Sequence, residues 1–198
     1  MFRQIEKTGF TLTELLVVIV IIGLLAGFLL PALSNAREKT RDISCINNLR
    51  QLGIIFNIYV EDHDGYLPTS ETIIAPPSYW SSKLNSLVGD PGIFICPSDR
   101  KPFNDNGVTL SYGYNSELDE TQRKLDNIEN PDNTLLLADG HLSSINRFDV
   151  SGEELNETAV NYDFEYRHSG GINVLTLDGY VRWRDHVSAD APLLRDLD

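Results

Sequence analysis

The sequence predicts an α+β chain in which one long N-terminal helix, apolar in its first half and amphipathic in its second, packs on a small, mostly antiparallel sheet. Three observations carry this. Residues 10–33 (FTLTELLVVIVIIGLLAGFLLPAL) form a nearly unbroken apolar run. Cys45, Leu49, Leu52, Phe56 and Tyr59 recur at alternating spacings of four and three, the stripe of a helix that lies on a surface. Ile172–Leu177 (INVLTL), Asp178-Gly179 and Tyr180–Trp183 (YVRW) read as two strands joined by a two-residue type I′ turn, whose twist matches the flanking strands.

The apolar run would be about 36 Å long as a helix, against a bilayer hydrocarbon core of roughly 30 Å, so it suffices to cross a membrane. Arg3 and Lys7 precede it and place positive charge on the side expected to stay cytoplasmic. A cleaved secretory signal is the competing reading, since the LLPALSNA stretch offers small residues. Pro31 would ordinarily break or kink a helix, but periodicity resumes beyond it, so one helix from about residue 10 to about residue 61 is expected. Asp62-His63-Asp64-Gly65 ends it with turn formers, and Tyr66-Leu67-Pro68 leads into a loop holding Pro76-Pro77. Trp80–Val88 has weak helical spacing. Ile93–Pro97, Leu110–Tyr114 and Thr134–Ala138 read as short strands, and residues 139–161 as an irregular acidic loop.

Charge is unevenly spread. Residues 51–198 hold 10 Lys and Arg against 25 Asp and Glu, whereas residues 37–50 are mildly basic. An acidic globular part argues against nucleic acid as its partner, because binding phosphate needs a basic surface. Two cysteines, Cys45 and Cys96, are too few for a disulfide scaffold and lack zinc-ligand spacing. Cys45 lies on the buried stripe and Cys96 ends an expected strand, so the pair can meet in one bridge if the domain lies outside the cytoplasm.

Glu14 stands out: a carboxylate inside an apolar helix costs about 2.5–3.5 kcal/mol even on mild insertion scales, so a plain tether has no reason to carry one. Gly9-Phe10-Thr11-Leu12-Thr13-Glu14, with Lys7 before and the apolar run after, resembles the type IV prepilin leader. The resemblance implies a leader of residues 1–9, cut between Gly9 and Phe10 by a prepilin peptidase that also methylates the Phe10 amine. It further implies a membrane and filament-core helix of residues 10–33, and a periplasmic or extracellular domain of residues 34–198. Glu14 then becomes the fifth mature residue, and in a dry filament core the charged amine of one subunit can neutralise Glu14 of its neighbour. Snorkelling of Glu14 to the membrane edge is the plainer alternative.

His168, nine intervening residues and Asp178-Gly179 resemble the H-X9-DG pattern of a group of bacterial pilin-like proteins. Similar in the same way are Cys45–Gly53 (CINNLRQLG), Asp62–Pro68, Cys96-Pro97-Ser98, Ser111–Asn115 (SYGYN) and Leu136–Gly140 (LLADG). The group's arginine is replaced by Asp42, with Arg41 one position early. Together the resemblances imply a pilin-like subunit of the inner membrane, extracted into a helical filament. The pseudopilus of type II secretion is favoured over a type IV pilus because the paired C-terminal cysteines of many adhesive pilins are missing. A monomeric membrane-anchored binding module is the second class of reading. A metallohydrolase using His63, His141, His168 and Asp178 is the third.

His168 and Asp178 are expected to be structural, with metal binding as the alternative. Asp62-x-Asp64-Gly65 resembles a fragment of a calcium loop but lacks its distal glutamate, so a helix stop is expected and calcium is the minor reading; Asp139-Gly140-His141 is discounted in the same way. No Gly-rich phosphate loop, usable Ser/His/Asp set or Cys nucleophile motif is present, so neither an enzyme nor a cofactor is expected.

Overall fold

A computed structural model describes residues 11–69, 80–105, 107–115, 118, 124–128, 130–132, 134–140, 147–148 and 166–184. The chain divides into two compact units, Met1–Thr40 and Arg41–Asp198. Helix α1, Leu12–Asp62, belongs to both and runs through Pro31. In the first unit, aliphatic side chains on every side of the helix are exposed, from Val18 at 44% to Leu12 at 80%. Such a segment has no inward face, and is long and apolar enough to cross a membrane.

In the second unit, the α1 stripe of Cys45, Leu49, Leu52, Phe56 and Tyr59 is buried, joined by Gly53 and Val60. Helix α1 stops as its turn formers require. Asp64 and Gly65 both adopt positive φ, and Gly65 N donates to Val60 O at 2.9 Å, closing the helix end in a Schellman geometry. Helix α2 is short, Trp80–Asn85 rather than the expected reach to Val88. Its Trp80 ring stacks on Phe56 and Tyr114 at 5.7 and 5.8 Å and meets Phe94 edge-on at 6.0 Å, which ties α1 to the sheet through aromatic contact.

Among the described residues seven strands follow: β1 Phe103–Asp105, β2 Val108–Leu110, β3 Tyr112–Asn115, β4 Leu135–Asp139, β5 Arg147–Phe148, β6 Ile172–Thr176 and β7 Val181–Arg184. β1 and β2 form a hairpin, and the main sheet has the order β5-β3-β4-β6-β7, antiparallel except for the β3–β5 pair. β4 and β6 are buried on both faces. A bulge between Leu135 and Leu137 shifts the register, so Leu136, Leu137 and Leu175 face the α1 core while Leu135, Ala138, Ile172 and Val174 form a second cluster.

Three local expectations are corrected. Ile93–Pro97 is not a strand: Pro91–Phe94 forms a 3₁₀ turn whose N-cap, Asp90, accepts from Gly92 N at 2.9 Å. The Asp-Pro-Gly start signal outweighs the apolar run behind it. Leu110–Tyr114 is not one strand, because Ser111 leaves the ladder to donate its N–H to Phe94 O at 2.9 Å. The Asp178-Gly179 loop is not a two-residue type I′ turn either. Thr176 N donates to Tyr180 O and Gly179 N to Thr176 O, with Gly179 at φ 85° and Asp178 on the ordinary side, which makes a three-residue loop with glycine in the left-handed position. Positive φ at two successive residues occurs instead at Ser169 and Gly170, in a tight turn where His168 and Gly171 exchange both backbone bonds at 3.0 Å.

Gly171 closes that turn against the end of β7, where a Cβ would lie 2.3 Å from Arg184 O and 2.5 Å from the Trp183 ring. Gly171→Ala should therefore destabilise the domain by about 1–3 kcal/mol, the usual range for overpacking. Urea unfolding followed by tryptophan fluorescence checks this: the midpoint should fall with an unchanged m-value.

Candidate functional site

The second unit gathers charged side chains in its interior, next to a disulfide. Cys45 of α1 and Cys96, just after the 3₁₀ turn, are bonded to each other, with Cα atoms 5.0 Å apart. The bridge spans a sequence separation of 51, worth about 4 kcal/mol in the chain-entropy view. Asn48, one turn of α1 beyond Cys45, donates to Ile95 O at 2.9 Å and fixes the same crossing.

Beside the sulfurs lies Asp139, fully buried at the end of β4. Its Oδ2 accepts from Asn173 N at 2.7 Å and pairs with His168 Nε2 at 3.3 Å, while its Oδ1 faces Arg167 Nη1 at 3.5 Å. Arg167 also pairs with Asp99 at 3.1 Å and donates to Ser111 O and Gly140 O at 2.8 and 2.6 Å. On its other side the His168 ring meets Asp42 Oδ1 at 3.2 Å through Nδ1, and Asn173 Nδ2 donates to the same oxygen at 2.9 Å. His168 Nε2 also lies 3.5 Å from Cys96 Sγ. Trp183 Nε1 donates to His168 O at 2.8 Å, which pins the tight turn that presents the ring.

Burial alone would push the His168 pKa down, but the Asp139 hydrogen bond and the charges of Asp139 and Asp42 outweigh it, and the net shift is upward. Burial, followed by the Asp139 charge, raises the Tyr112 hydroxyl well above its ordinary value. The arrangement is a buried charge network, paired by ion contacts although Asp139 Oδ1 and Asn173 Oδ1 accept no hydrogen bond, and it links α1, β4 and β6 through Asp42, Asp139 and Asn173.

The two ends of the H-X9-DG pattern are not brought together. Asp178, beyond the far end of β6, accepts from Thr176 Oγ1 and Tyr180 N and pairs with Arg182 at 3.6 Å, so it orders its own hairpin loop. His63 stacks on Tyr59 at 3.7 Å and bonds Tyr59 O at the helix end. Asp62 and Asp64 belong to that helix stop. Among the described residues the grouping of three metal-capable donors is Cys45, Cys96 and His168. His141, Gly9 and Phe10 lie outside the described residues.

Glu14 has a local role. Thr11 Oγ1 accepts from Glu14 N at 3.3 Å, and Glu14 Oε2 accepts from Thr11 N and Thr11 Oγ1 at 2.9 and 2.7 Å. This is a capping box at the start of α1, and the Thr-x-x-Glu spacing announces it in the sequence. The charge network is harder to foresee. Its one sequence signal is Asp139, a carboxylate at the end of an otherwise apolar strand.

An apolar, outward-facing N-terminal helix that continues into the core helix of a mostly antiparallel domain defines the pilin-like class. Residues 7–30 match the prokaryotic N-terminal methylation motif. The chain is 30% identical to type II secretion system core protein G of Klebsiella pneumoniae over 114 residues, 58% of this chain and 81% of that protein. It is 34% identical to the protein of the same name from Pectobacterium carotovorum subsp. carotovorum, over 58% of this chain and 73% of that protein. With the Vibrio cholerae protein of that name it shares 33% identity over 38% of this chain and 51% of that protein. No solved structure matches. The chain belongs to the type II secretion system core protein G family, the pseudopilins.

The raised His168 pKa has a defined sign. Its stabilising contribution is fully present below the unfolded value near 6.5 and is lost as pH rises through the folded value. Unfolding free energy should therefore decline above pH 6.5 in the native chain and change less in His168→Gln, as chemical denaturation at a series of pH values will read. Asp139→Ala should cost about 3–5 kcal/mol, because Arg167 and His168 are left buried without their shared carboxylate.

Proposed function

We propose that this chain is a structural subunit of a type II secretion-like pseudopilus. Its leader, residues 1–9, is removed by a prepilin peptidase that methylates Phe10. Residues 10–33 hold the subunit in the inner membrane until it joins copies of itself and other pilin-like subunits, with the acidic domain of residues 34–198 facing away from the cytoplasm. The observation that carries this reading is the match of residues 7–30 to the N-terminal methylation motif on a helix whose apolar residues are exposed all round. Similarity to proteins named for type II secretion supports the pseudopilus over a surface pilus. In this role the network at Asp139 and the H-X9-DG residues serve the rigidity of the head rather than catalysis.

Glu14 then has two tasks: it caps its own helix through Thr11, and its charge neutralises the Phe10 amine of a neighbour in the filament core. The two are separable, because glutamine also serves at the third position of a capping box but carries no charge.

Protein recovered from membranes should begin at N-methyl-phenylalanine, Phe10, and Gly9→Val should remain uncut; Met1, or an N-terminus beyond Leu33, would refute the assignment. Glu14→Gln and Glu14→Leu should both be cut at Gly9 and inserted, since each removes a charge from hydrocarbon. Both should give little sheared filament, because the neighbouring amine enters the core unpaired at a cost of about 3–5 kcal/mol. Normal filament yield from Glu14→Gln with loss only in Glu14→Leu would assign Glu14 to capping alone.

A further inference from the structure

The sulfurs of Cys45 and Cys96 and the Nε2 atom of His168 lie within 4.8 Å of one another, and all three residues are buried. In the oxidised chain the sulfurs are bonded to each other and hold nothing else. We propose that, once this bond is reduced, the two thiolates and His168 Nε2 bind one thiophilic divalent cation of the zinc type between them.

Geometry favours it. A sulfur and an imidazole nitrogen bound tetrahedrally to one zinc ion lie about 3.5 Å apart. Cys96 Sγ and His168 Nε2 are already 3.5 Å apart. Two thiolates on the same ion lie about 3.8 Å apart, close to the ordinary non-bonded separation of two sulfurs, so reduction moves the pair toward the spacing that the ion needs.

The surroundings suit a ligating imidazole. Metal-bound histidines usually donate their second ring N–H to a carboxylate, which fixes the tautomer and the ring plane. Asp42 Oδ1 stands 3.2 Å from His168 Nδ1, within reach of that role, and accepts from Asn173 Nδ2. Asp139 Oδ2, 3.3 Å from Nε2, lies beside the open coordination position, which it or a water completes. The cation would replace the proton that Nε2 shares with Asp139. The donors rest on firm backbone: Asp42 and Cys45 lie one turn apart on α1, Asn48 anchors Ile95 next to Cys96, and Trp183 pins the His168 turn.

The chemistry balances. A phosphine reductant donates its electron pair to break the S–S bond, takes the oxygen of one water to become a phosphine oxide, and leaves that water's two protons on the sulfurs. The incoming ion displaces both thiol protons, and the Nε2 proton when the ring is charged. Because the donors are buried, the ion enters as the reduced chain refolds.

The test is to refold the full chain in detergent with a phosphine reductant and titrate it with cobalt(II). One equivalent should bind, with sulfur-to-cobalt charge-transfer absorption and the bands of tetrahedral cobalt. Zinc should displace the cobalt and protect both cysteines from alkylation, and the oxidised chain should bind none at this position. Asp42→Asn should keep the thiolate band and lose about 10–100-fold in affinity. His168→Ala should lose at least as much. If that variant unfolds by circular dichroism, the native chain and its alkylation protection decide the matter. A reduced native chain that takes up no cobalt, or that fails to refold with it, overturns the proposal. So does equal uptake by the oxidised chain, or unchanged affinity in folded His168→Ala.

Discussion

The head of this subunit depends on what surrounds one buried carboxylate. Asp139 ends a strand with no access to water, and such a charge is tolerable only when it is paired. Asn173 of β6 supplies a backbone N–H, His168 a ring nitrogen and Arg167 a guanidinium. His168 then reaches Asp42 on α1. Asp139 thus sets where β6 lies along β4 and how the sheet meets the helix, and the adjacent Cys45–Cys96 bridge fixes the same crossing covalently. Apolar burial around Phe56, Trp80 and Tyr114 supplies most of the driving force, but it is not directional. The charge network specifies the register.

The N-terminal unit follows a different logic. Its helix has no buried face, so its stability as a helix rests on backbone bonds and on a proper start. Thr11 and Glu14 provide that start by satisfying donors that hydrocarbon cannot satisfy. A carboxylate that looks out of place by hydropathy is therefore well placed by helix chemistry.

Much of the fold was legible in the sequence because it rests on local periodicity. The four-three spacing of Cys45, Leu49, Leu52, Phe56 and Tyr59 names the buried face of α1, and INVLTL followed by YVRW names the last hairpin. Turn geometry was less legible, since glycine at 170 and at 179 permits positive φ in either place, and only the register of β6 on β7 decides which loop is which. The 3₁₀ turn at Pro91 resembles a strand in sequence because the apolar run IFIC masks the Asp-Pro-Gly signal before it. The charge network was mostly out of reach. Asp42 and Asn173 are 131 positions apart, and no pattern along the chain links Asp99 to Arg167. Spacing in sequence pairs His168 with Asp178, whereas the intervening strand carries them to its opposite ends.

The central claim, that the Asp139–His168 contact holds the head together as a unit rather than as two independent polar groups, is tested most directly by a double-mutant cycle. Asp139→Ala, His168→Ala and the double variant are compared with the native chain by chemical denaturation below pH 6.5, where the imidazole is charged. A coupling energy of about 1.5–3 kcal/mol is predicted, at the upper end of the range for residues in one network. Additive losses, with coupling under about 0.5 kcal/mol, would contradict it and leave the apolar core and the disulfide as the only determinants of how the helix meets the sheet.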